Sequence, residues 1–189
     1  MSTAIRRTVL RPLVRSIAIV AVSGLIVVGV SGLLADGFGA LLGKSFVSGD
    51  QPGVTYTPER CADLFEYDPE AATCEAAATA HHFDEVAQYR IVLGVLGLLA
   101  GIAALLLFPR FHEPYSQSAL LEGFTAIVGL AVYGCAAGLL LAESLGQTAF
   151  GDTNGAGAYL SGGLVSLVLV AGYAVAFWRT IQPRLPLLT

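Results

Sequence analysis

Residues 91–109 read IVLGVLGLLAGIAALLLFP, a run with no charged, hydroxyl or amide side chain. Coiled as an α-helix it rises about 28 Å, close to the roughly 30 Å hydrocarbon core of a bilayer. Three further stretches of similar length carry no charge: Ile17 to Ala35, Gly123 to Ala142 and Thr153 to Trp178. Only helices and closed barrels satisfy their backbone hydrogen bonds in lipid, and barrel strands need alternating segments of about ten residues. These runs are continuous rather than alternating. The sequence therefore predicts an all-α integral membrane protein with four transmembrane helices in a bundle. The spans are placed at about 14–35, 90–108, 119–143 and 157–178, with a long outer loop over 43–90.

The whole composition agrees. Of 189 residues, 55% are hydrophobic and 13% charged, with a mean hydropathy of +0.71. That is about half the charge of a soluble domain, which excludes a disordered chain and a nucleic-acid-binding module. Arg6, Arg7, Arg11 and Arg15 ahead of the first run would also suit a secretory leader. The run is longer than the usual leader core of 7–15 residues, however, and Leu34-Ala35-Asp36-Gly37 makes a poor cleavage site. It is read as a retained span.

Basic residues near span ends tend to remain cytoplasmic. Seven of the ten fall on one side of this topology: the four N-terminal arginines, Arg110, Arg179 and Arg184. Lys44, Arg60 and Arg90 fall on the other, together with twelve of the fourteen acids. The expectation is a multi-pass protein of the cell membrane with both termini inside and an acidic outer face.

The outer loop holds two helix starts of one kind, Thr57-Pro58-Glu59 and Asp68-Pro69-Glu70. Each offers a capping oxygen, a proline preset for the first helical position and an acid at the positive end of the dipole. Short helices are predicted over about 58–67 and 69–90, the second running straight into the second span. Cys61 and Cys74 fall one on each, whereas Cys135 lies inside a span. Two cysteines in an oxidising compartment without Cys-x-x-Cys spacing predict a structural disulfide stapling a helical hairpin.

Next comes His81-His82-Phe83-Asp84-Glu85. On a helix His81 shares a face with Asp84 and Glu85, and His82 with Glu85. Two imidazoles and two carboxylates can bind a divalent metal or titrate as a pH sensor. The bland alternative is a solvated helix face, because one helix rarely supplies more than two ligands to a site. No other cofactor is expected.

Small residues recur within the spans at helical spacing. Gly94, Gly97, Gly101 and Ala104 form one stripe, and Ala131, Gly134, Gly138 and Ala142 form another. Such stripes let helix backbones approach closely, which in lipid replaces the hydrophobic driving force. Asp36, Glu122 and Glu143 stand near the predicted interfaces as candidate boundary acids.

Catalytic chemistry is harder to find. His81, His82 and His112 lie outside the spans, leaving no axial haem ligand inside them, and no nucleophile with a base in reach sits within the bilayer. The sole lysine, Lys44, follows no phosphate-binding loop. The functional expectation is a non-catalytic accessory or assembly subunit that engages a membrane partner or a second copy of itself. A weak echo between Gly32-Leu33-Leu34-Ala35-Asp36 and Gly138 to Glu143 supports an alternative, a transporter or channel component built from two hairpin repeats. A metal- or pH-sensing module at His81 and His82 is the third class.

Overall fold

A computed structural model of the chain describes residues 3–49, 55–107, 119–151 and 153–181; within these, the side chains of 3–15, 104–107, 119–122 and 181 are not described. Every regular element is a helix: α1 (Thr3–Leu42), α2 (Lys44–Ser48), α3 (Pro58–Tyr67), α4 (Cys74–Leu107), α5 (Ala119–Ala149) and α6 (Ala156–Ile181). Four of them, α1, α4, α5 and α6, are long and apolar enough to cross a membrane. Their surfaces suit lipid, since Ile91, Val92, Leu96 and Leu99 on α4 and Leu139 on α5 all stand exposed.

The four long helices do not pack in a square. Helix α1 touches α4, α6 and α5, and α5 lies along α6, but α4 and α5 make no contact among the described residues. The spans thus form two tight hairpins, α1 with α4 and α5 with α6, joined through α1. In the first, glycines bring backbone to backbone. A Cβ added at Gly29 would lie 2.5 Å from the Leu93 carbonyl oxygen, and one at Gly97 would lie 2.7 Å from that of Leu25. In the second, side chains fill the notches: Tyr173 covers Gly129, and Leu141 covers Gly163.

Hydroxyl groups tie the two hairpins together inside the apolar layer. Ser23 donates to the Ile19 carbonyl at 2.9 Å and takes the Tyr173 hydroxyl at 2.8 Å. Tyr133 donates to the Val20 carbonyl at 3.0 Å and stacks on Tyr173 with ring centroids 5.7 Å apart. Thr125 bonds Ser16 at 2.7 Å one level lower. A polar atom in lipid has no water to turn to, so these bonds fix how α1, α5 and α6 sit against one another.

Helix α1 begins at Thr3 rather than about 14 and α5 runs on to Ala149 rather than 143; two further differences shape the cap. Helix α1 runs beyond Asp36 to Leu42 and stops where Gly43 adopts a φ of 106°. Past it, the unforeseen helix α2 tucks Val47 and Phe46 against Ala35, Phe38 and Phe83. Helix α4 begins at Cys74 rather than Pro69. The Asp68 amide is already committed to the Leu64 carbonyl at the end of α3, and Ala71 closes a turn onto Asp68 at 3.2 Å. Asp68 is therefore spent as the end of one helix, and Thr73 caps the next instead, accepting from the Ala76 amide at 3.1 Å. The start of α3 follows the sequence reading: Thr57 accepts from the Arg60 amide, and Pro58 is the first helical residue.

Cys61 and Cys74 are joined, with Cα atoms 5.4 Å apart across a separation of 13 residues. Among the described elements helix α3 packs on α4 alone. Replacing both cysteines with serine is expected to cost the cap about 3 kcal/mol, the closure entropy of a loop that size. Amide exchange in α3 should then rise steeply while exchange in the spans stays put; unchanged protection of α3 would remove the staple role.

Candidate functional site

The densest polar cluster lies where α1, α2, α3 and α4 meet, at the end of the bundle remote from the chain termini. Its hub is Phe83. Gly39 of α1 leaves the room its ring occupies, since a Cβ there would run into the ring atoms. The Arg90 guanidinium lies 4.5 Å from the ring centroid and the Lys44 ammonium 5.9 Å, so two cations flank one aromatic face system.

Arg90 also carries the one mostly buried ion pair. Its Nε donates to Asp36 Oδ1 at 2.5 Å, and Nη2 donates to the Phe83 carbonyl at 3.1 Å. The two side chains keep only 17% and 19% of their exposure. Asp36 Oδ2 is buried without a partner. Among the other boundary acids, Glu143 is exposed on α5, and the Glu122 side chain lies outside the described residues.

Nearly two turns of α4 before Arg90, Asp84 Oδ2 accepts from Lys44 Nζ and from the Tyr67 hydroxyl, each at 2.6 Å. Tyr67 sets its ring edge against His81 with centroids 4.8 Å apart. The hydrogen bond to Asp84 holds the Tyr67 hydroxyl above its ordinary pKa, with loss of hydration and the charges of Asp84 and Asp68 adding to it.

These contacts disperse the metal cluster read from the sequence. Successive helical residues fan out by about 100°, and here Asp84 faces α2, His81 leans on α3, and Glu85 is exposed. No group of three His, Cys, Asp or Glu able to hold a metal comes together among the described residues. Tyr67 and Phe83 organise the cluster instead, and the sequence reading missed both. The available signal was their spacing, since Tyr67 follows the buried Leu64 by three residues and Phe83 follows the buried Ala80 by three.

The glycine stripes part ways as well. Gly94, Gly97 and Gly101 face Leu33, Leu25 and Ile26 of α1. Gly134 and Gly138 meet nothing within 4 Å. The buried face of α5 runs through Ala126, Tyr133, Ala137 and Ser144, a step of one residue around the helix from that stripe. Small residues alone did not reveal which side α6 would take. The α5 stripe, with Cys135 exposed beside it, looks outward from the molecule.

Searches of protein-family models, of curated proteins and of solved structures find no match to this chain.

Proposed function

We infer that this chain is a non-catalytic accessory or assembly subunit of the cell membrane, with both termini cytoplasmic, that docks a partner helix along α5. One observation carries the reading: the outward stripe of Ala131, Gly134, Gly138 and Ala142 is left unused by the chain's own helices, whereas the equivalent stripe on α4 is filled. A row of small residues facing lipid provides a flat track for close backbone approach by another helix. The orientation is supported by the distribution of basic residues, seven toward the termini and three toward the acidic cap.

Cys135 makes the reading testable. The other two cysteines are bonded to each other, so Cys135 is the sole free thiol of the chain and sits beside the stripe. Mild oxidation of native membranes, or a short bifunctional thiol reagent, should trap a defined adduct through Cys135. Cys135→Ala should abolish the adduct, and Gly138→Leu should suppress it without changing the amount of folded chain. A chain that stays uncoupled under both treatments and purifies as a monomer would defeat the proposal.

A further inference from the structure

Six serine and threonine side chains of the described residues are buried: Ser23, Thr79, Thr125, Ser144, Ser161 and Ser166. Four are hydrogen-bonded within the chain, as buried polar groups almost always are. Ser166 is sealed in and bonds nothing. Thr79 differs from all of them: it is 6% exposed, its hydroxyl makes no hydrogen bond among the described residues, and it lines a cavity of about 280 Å³.

That cavity lies between the start of α2 and the first two turns of α4. Lys44 and Ser45 form one wall; Thr73, Glu75 and Thr79, spaced by Ala76 and Ala80, form the other. Its volume is just below the 300–1,000 Å³ of typical ligand pockets, which restricts it to a small molecule. Ala80 precedes Arg90 by ten residues on the continuous helix α4, placing the cavity about 15 Å beyond the Asp36–Arg90 level. The headgroup layer is only about 5–8 Å deep on each side, so the opening faces water rather than lipid.

We propose that this cavity binds a small dissolved zwitterion, a molecule bearing a primary ammonium and a carboxylate a few bonds apart, of the free amino acid class. The Glu75 carboxylate is exposed at one wall and takes the ammonium. Lys44 spends one of its three donors on Asp84 and has two left to offer, with the Ser45 hydroxyl, to the carboxylate. Thr79 at the floor can donate or accept and so serves either end. A lone anion would meet Glu75, and a lone cation would leave the spare Lys44 donors and the Ser45 hydroxyl unused; a molecule carrying both charges engages both walls. The two alanines leave room for a short aliphatic side chain.

The test uses the full chain in nanodiscs of phosphatidylcholine and phosphatidylglycerol, titrated calorimetrically with glycine, L-alanine and L-glutamate, and separately with acetate and methylamine. At least one amino acid should bind, and neither half-molecule should. Thr79→Val and Glu75→Gln should each weaken binding about tenfold, and Thr79→Ser should restore it. If Thr79→Val fails to fold, Ser45→Ala and Glu75→Gln read the same site from exposed positions. Adding phosphatidylethanolamine to the disc should leave the affinity unchanged; loss of amino acid binding there would assign the cavity to a lipid headgroup and overturn the proposal. So would heats with acetate or methylamine equal to those with amino acids, absence of binding by all three amino acids, or unaltered binding by the Glu75→Gln variant.

Discussion

Alanine at Gly29 or at Gly97 is expected to drive α1 and α4 apart. Each new Cβ would fall within 2.7 Å of a backbone carbonyl oxygen, that of Leu93 or of Leu25, and a carbonyl in a helix cannot swing aside as a side-chain tip can. Overpacking of this kind costs about 1–3 kcal/mol, even after alanine's better helix propensity is credited. The two sites are coupled, because a Cβ at Gly29 also comes within 3.2 Å of the Gly97 Cα. Once one substitution has separated the helices, the second meets a wider gap. The double variant should therefore lose less than the sum of the singles. Gly134→Ala and Gly138→Ala provide the contrast: with nothing within 4 Å of either, both should leave stability unchanged or slightly raised. Thermal unfolding in one detergent or nanodisc system would read all five variants. Equal losses at Gly97 and Gly138 would refute the assignment of faces.

The second large effect is expected at Arg90. Arg90→Ala would leave the Asp36 carboxylate four-fifths buried, with Oδ1 deprived of its partner and Oδ2 still without one. Breaking a buried pair from one side costs about 3–5 kcal/mol, and the residual exposure here puts the expectation at the low end, about 3 kcal/mol. Replacing both, Asp36→Leu with Arg90→Met, removes the stranded charge together with its partner. That double variant should return to within about 1 kcal/mol of the wild type, aided by a thioether against the Phe83 ring. The Lys44–Asp84 pair makes a useful comparison. Its side chains keep 42% and 36% of their exposure, so Lys44→Met should cost under about 1 kcal/mol. If Arg90→Ala were as mild as Lys44→Met, the Asp36–Arg90 pair would have no special structural weight.

How far the fold can be read from residues depends on the range of the physics involved. The spans are legible because lipid demands a continuous apolar run, a local property of stretches such as 91–107. The disulfide is legible because only two of three cysteines fall outside the membrane. The Asp36–Arg90 pair is not, since its partners are 54 residues apart and each alone resembles an ordinary boundary charge. The start of α4 was misread because Asp68 looks like an N-cap until α3 claims its amide. The direction of the α5 stripe depends on which neighbour α6 supplies, and no periodicity encodes that. Thr79 is the sharpest case: its place as an unpartnered hydroxyl arises only when α2, a helix the sequence reading lacked, folds over the start of α4.

Helix α4 is a single hydrogen-bonded rod from Cys74 to Leu107, about 50 Å long. Its first half, through Arg90, carries the disulfide, the Asp84 and Arg90 contacts and one wall of the cavity; among the described residues its second half touches protein only along α1. A rod clamped at one end and guided along one edge transmits force as a lever does. A load on the cap is therefore expected to tilt the rod about the Gly29–Gly97 contact, where the backbones of α1 and α4 already touch.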